Sequence, residues 1–209
     1  MTFFAPSKGA IISSYVGMSF GDYFRIYAAF GDGKGQPSAW SYFLPIERPW
    51  GAHRRPIFNE YVRTPLKSTP AEHDLSNVQL GSVGFYGQKL ARLSQVLAGT
   101  GLLKNDQLMA AKKFRIYTLA GNPMLAKVAD GTITAVFETI GQHPHDVVPG
   151  AFICKVAGCK VTDLNGNLLD LDRPLLHPAS KDGKMTYLIS RSDSLHSVLL
   201  PILKQSPMI

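Results

Sequence analysis

Cysteine is scarce: the 209-residue chain has only two, Cys154 and Cys159. They are too few for the disulfide framework of a small secreted domain, and their spacing is not that of a zinc site, so both are expected as structural thiols. Charge is sparse as well. Charged residues make up 18% of the chain and hydrophobic ones 45%, which excludes a disordered segment and supplies one core-bearing domain over 1–209. No stretch approaches the roughly 18 consecutive apolar residues of a membrane helix. Met1 to Pro6 lacks the basic start and long apolar core of a secretion signal, so the expected setting is the cytoplasm or an organelle matrix. Gly31-Asp32-Gly33-Lys34-Gly35 lacks the Gly-Lys-Ser/Thr ending of a phosphate loop and reads as a hairpin tip.

Positive charge is in excess, at +7 overall. A basic surface concentrates anions, so a phosphorylated small molecule or a nucleic acid fits as partner. His53-Arg54-Arg55 beside Trp50, and Lys112-Lys113 with Arg115, offer the basic and aromatic mixture of backbone-phosphate binding, and they fit a solvated face equally well.

Two regimes follow one another along the chain. Residues 1–83 are β-rich: runs from Ala10 to Val16, Tyr23 to Phe30 and Ala39 to Leu44, punctuated by glycine, predict an antiparallel meander. Pro45 to Pro70 carries five prolines and reads as an extended connection. Gly17-Met18-Ser19-Phe20-Gly21 matches the nucleophile-elbow pattern, but too little chain precedes it for an α/β-hydrolase sheet, so Ser19 is expected in a turn. From residue 84 onward helices and strands alternate. Helices are expected from Tyr86 to Ala98, from Pro123 to Asp130 with Gly131 after its end, from Asp146 with Gly158 as its cap, and from Asp193 with Leu195, Val198 and Leu199 inward. Strands are expected at Phe114 to Thr118, Ile133 to Phe137, Cys159 to Leu164 and Tyr187 to Ser190, with a tight turn at Asn165-Gly166. The predicted class is α/β: a β-rich first part followed by a mixed-sheet layered part over 84–209.

The most informative run is His145-Asp146, then Ala157-Gly158-Cys159, Thr162-Asp163 and Leu169-Asp170-Leu171. A carboxylate at the mouth of a small-residue helix, a glycine stop, a strand and a turn into an apolar Leu-Asp-Leu resemble the signature of the inositol monophosphatase superfamily, the lithium-sensitive sugar-phosphate phosphatases. The likeness runs from about Ala120 to Leu203, with His145 where the family has Trp. It implies that Asp146 binds catalytic Mg2+, that Gly121 and Asn122 belong to a pocket-lining turn at a helix start, and that Glu138 lies near the substrate hydroxyls. On the residues alone, Asp146 is a helix N-cap, Glu138 a solvated strand end, and His143-Pro144-His145 a surface loop.

The family's Glu-Glu pair and its Asp-x-x-Asp-Gly-Thr motif are absent from the sequence. Counting back from Asp146, the latter would fall close to Met1, so the resemblance implies a phosphatase-type fold truncated at its N-terminal side. One carboxylate does not hold a magnesium cluster. The expectation is therefore a domain not catalytic on its own, with Mg2+ weak or absent, that serves in assembly or binds a phosphorylated ligand. The alternatives are a magnesium-dependent phosphomonoesterase completed by another segment or chain, and a basic RNA-binding subunit. A homodimer, or membership of a larger assembly, is expected because a sheet face carrying Ile11, Tyr15, Tyr27 and Phe30 needs cover.

Overall fold

A computed structural model describes residues 12–20, 23–31, 38–47, 55–56, 62–66, 78–82, isolated helical positions between 87 and 98, and residues 115–117, 122–171 and 183–205. The first sheet is antiparallel. Strands β1 (Ile12–Phe20), β2 (Tyr23–Gly31) and β3 (Ser38–Glu47) form the expected meander, and β4 (Arg55–Pro56) and β5 (Val62–Leu66) both pair with β3. Two expectations are corrected here. Ser19 lies inside β1 opposite Phe24, not in a turn, because the apolar alternation of the strand continues to Phe20. The proline-rich segment is more than a connection: β5 pairs with β3 from Phe43↔Val62 to Ala39↔Leu66, and Pro65 is tolerated because, among the described residues, β5 pairs with no other strand. In the register of β1 with β2, Tyr15 is opposite Ala28, Tyr27 opposite Val16 and Phe30 opposite Ser13. Ile11 lies outside the described residues.

The second sheet is mixed, in the order β7-β6-β8-β10-β9. Its strands are β6 (Gln79–Ser82), β7 (Arg115–Tyr117), β8 (Ala135–Gln142), β9 (Lys160–Thr162) and β10 (Met185–Ser190). β6 runs parallel to β7 and β8, whereas β10 is antiparallel to β8 and β9. Three helices accompany it: α1 (Asn122–Asp130), α2 (Pro144–Val156) and α3 (Asp193–Gln205). α1 and α2 lie against each other between the two sheets, and α3 packs on the far side of the second sheet. Of the helix expected from Tyr86 to Ala98, Gly87, Ala91, Leu93, Ser94, Gln95 and Ala98 are described as helical, and Leu93 is buried.

Period-two alternation divides the core in two. Val136, Tyr187 and Ile189 point into the cluster shared with α1 and α2, while Ala135, Phe137 and Leu188 join Leu195, Leu199 and Leu203 of α3. Residues spaced by four put one leucine per turn on one side of α3, which leaves Val198 39% exposed rather than inward as expected. In α2 the eight consecutive residues Val147 to Cys154 are all buried, because the helix has a sheet on either side and no face left for water. The helix ends in a Schellman motif. Gly158, at φ 87°, lets its own N–H reach the Lys155 carbonyl at 3.1 Å and that of Cys159 reach the Cys154 carbonyl at 2.9 Å. The Asn165-Gly166 turn is held by Asp163, whose Oδ1 accepts the N–H groups of Asn165 and Asn167 at 2.8 and 2.9 Å.

Among the described residues no helix is long and apolar enough to cross a membrane.

Candidate functional site

β8 runs into α2 through a single residue, His143, and this junction collects the polar side chains that the sequence singles out. The helix opens earlier than expected. His143 occupies the N-cap position in extended conformation with no side-chain cap bond, and Pro144 supplies a preset φ for the first helical residue. Asp146 is consequently not the N-cap but the third helical residue. Its N–H donates to the His143 carbonyl at 2.9 Å, and its carboxylate lies in the first turn, where the helix dipole favours negative charge. The Asp146 side chain is 40% exposed, and its Oδ2 lies 3.6 Å from Nε2 of the more exposed His145. The His143 and His145 rings stack with centroids 5.5 Å apart, so the two imidazoles flank Pro144 as a pair.

Glu138 is not a solvated strand end. It is 2% exposed, and its Oε1 accepts the N–H groups of Ile140 and Gly141 at 2.8 and 3.0 Å, where the pairing of β8 with β10 shifts register between Glu138 and Gln142. Register explains the burial. Glu138 is opposite Tyr187 on β10, and both share the sheet face that looks toward α2. Tyr187 is fully buried, and its hydroxyl donates to Gln142 Oε1 at 2.6 Å. Burial pushes the Tyr187 phenol well above its ordinary range, and the charges of Glu138, Cys154 and Asp146 add to that push. Glu138 and Asp146 therefore act on one buried phenol from the strand side and the helix side. Sequence reasoning passed over Tyr187 and Gln142. The available signal was a hydroxyl-bearing aromatic in the middle of an otherwise apolar strand, which needs a partner once buried.

Asn122 is the first residue of α1, one position earlier than expected, and α1 carries no acidic residue in its first turn. Gly121 lies outside the described residues. The structure thus brings Glu138 and Asp146 to one junction and sets Asn122 at the start of the neighbouring helix.

Magnesium needs a near-octahedral oxygen shell, usually from several carboxylates together with substrate phosphate. Glu138 turns one oxygen to the backbone and Asp146 faces a histidine. Among the described residues no three His, Cys, Asp or Glu side chains converge to hold a metal ion. The described side chains do not fit a magnesium cluster.

A second polar group lies on the α3 side. His196 is buried with Nε2 2.9 Å from Thr162 Oγ1 and Nδ1 2.9 Å from Ser190 Oγ, so it ties β9 and β10 to the helix. Burial, and then the charge of Lys160, lower its pKa to about 4 against a smaller opposing pull from Asp193, and the ring is neutral at pH 7.

No family model matches the chain, and no curated protein matches it in sequence. Solved structures that resemble it include the Thermotoga maritima IMPase, at 15% identity and a TM-score of 0.48 over 87% of this chain and 61% of that one. An inositol monophosphatase from Zymomonas mobilis resembles it at 12% identity and 0.49, over 87% and 62%. The extragenic suppressor protein suhB from Bartonella henselae does so at 15% identity and 0.49, over 89% and 64%. The chain spans less than two thirds of the length of each of these.

Proposed function

We propose that this chain is an inositol-monophosphatase-like domain that does not hydrolyse phosphomonoesters by itself and that serves in assembly or in binding a phosphorylated small molecule. The observation that carries the reading is the unequal use of its two resemblance-derived acids. Glu138 is buried with Oε1 bound to two backbone N–H groups, and Asp146 is the half-exposed one. Metal-activated water attack on a phosphate ester needs a cluster of carboxylates around two or more ions, and a buried acid committed to two backbone N–H groups at an irregularity within β8 is a poor recruit. Ligand binding asks for less. Helix α1 starts at Asn122 with no acid of its own in the first turn, and the positive end of a helix dipole favours an anionic group.

A second reading is a magnesium-dependent phosphomonoesterase completed by another segment or by a partner chain. It draws support from Asp146, a half-exposed acid in the first turn of α2, which carboxylates supplied from elsewhere would turn into a metal site. Calorimetric titration with inositol monophosphate, with and without Mg2+, separates the two. The favoured reading expects binding that does not require Mg2+ and is weakened in Asn122→Asp, which adds negative charge at the helix start. Binding that requires Mg2+ and vanishes in Asp146→Asn supports the second reading, and an absence of binding under both conditions removes the ligand from the first.

A further inference from the structure

The chain's two cysteines meet across the end of α2. In a Schellman motif the residues three positions before and two after the cap are held side by side, normally as an apolar contact. Here those positions are Cys154 and Cys159, joined by the 2.9 Å bond from the Cys159 N–H to the Cys154 carbonyl. A backbone bond of that length keeps the two Cα atoms within the span of roughly 4.4–6.8 Å that a disulfide bridges. The side chains turn the same way, for both belong to one buried cluster. Cys154 also donates through Sγ to the Leu125 carbonyl at 2.9 Å, which holds its sulfur inside the cluster. Cys154 is wholly enclosed, while Cys159 keeps 8% of its surface at the cap.

We propose that Cys154 and Cys159 form a reversible intrachain disulfide under peroxide, a modification site that staples the end of α2 to the start of β9. Peroxide oxidises the Cys159 thiol, the one with residual access, to a sulfenic acid with release of one water. The Cys154 sulfur then attacks the Cys159 sulfur, the S–O bond breaks, and hydroxide leaves as a second water with the Cys154 proton. Two thiols lose two electrons and two protons, and one peroxide becomes two waters. A dithiol reductant reverses the bridge. Burial, which raises the Cys154 thiol well above its ordinary range, makes that residue a slow first target, so the first oxidation falls on Cys159 and proximity across the cap drives the second step.

Lys155 and Lys160 give a direct readout, because trypsin cuts after each and so divides the ring between the cysteines. The folded chain is treated with hydrogen peroxide, free thiols are blocked, and the digest is analysed by mass spectrometry before and after dithiothreitol. The expected result is a disulfide-linked pair, the peptide ending at Lys155 joined to Val156–Lys160, that separates on reduction, together with a higher midpoint of thermal unfolding for the oxidised chain. Cys159→Ala, at the less enclosed position, abolishes the link without removing Cys154. The proposal is overturned if the native chain gives both cysteines alkylated and unlinked, Cys159 as sulfinic acid, or a dimer linked between chains. It is equally overturned if the linked pair appears only after unfolding in urea.

Discussion

Helices α2 and α3 are nearly matched on paper. Each has 13 residues, an acid in the first turn, a lysine in the last and a proline inside. They differ in what surrounds them. α2 lies between two sheets and buries Val147 to Cys154 without a break, whereas α3 lies on one sheet and buries one leucine per turn. A helix with two covered faces has no use for amphipathic spacing, so its sequence reads as small and apolar throughout, and its only half-exposed acid is in the first turn beyond the sheets. Two covered faces also make α2 the less forgiving helix.

The largest expected effect follows directly. Ile153→Ala, in the middle of α2, should cost about 2–5 kcal/mol through lost burial and a cavity between the sheets, whereas Val198→Ala on the exposed side of α3 should stay within about 0.5 kcal/mol. Urea denaturation midpoints at constant m-value measure both, and similar costs would dissolve the comparison.

The prolines sharpen it. Pro201 is exposed and deprives the Ser197 carbonyl of a helical donor, so Pro201→Ala should stabilise the chain by about 1–2 kcal/mol, read as a rise in thermal midpoint. Pro149 is buried among packed neighbours, and Pro149→Ala should gain less, since the new N–H is offset by lost contact. A larger gain at Pro149 would contradict the layered packing.

Acid should loosen the α3 side through His196. Its folded pKa of about 4 lies below the unfolded value near 6.5, so the unfolded chain takes up the proton first and stability falls as pH drops from about 6.5 toward 4. The contribution should be about 1–2 kcal/mol, below the full value of the shift because Lys160, one source of it, is partly exposed and screened. Comparing the pH dependence of unfolding in the native chain and in His196→Gln isolates this term, and identical profiles would refute it.

Local signals in the sequence translated well. Gly158 as a helix stop, the Asn165-Gly166 turn, the start of α3 at Asp193 and the mixed second sheet all rest on conformational preferences of a few adjacent residues. What the sequence concealed depends on distant partners. Asp146 has the chemistry of an N-cap, but Pro144 claims the first helical position and moves the start upstream. Val198 has the right period for the core and the wrong angle once Leu195, Leu199 and Leu203 have claimed the sheet. Glu138 is buried because register sets it opposite Tyr187, a pairing between residues 49 positions apart that no local pattern announces.

The central proposal, that Asp146 lacks among the described residues the company a magnesium cluster requires, is tested most directly by release of inorganic phosphate from inositol monophosphate with Mg2+. The native chain and Asp146→Asn should both give negligible turnover. Lithium-sensitive turnover in the native chain that is lost in Asp146→Asn would contradict the account, and would mean that further carboxylates complete the site.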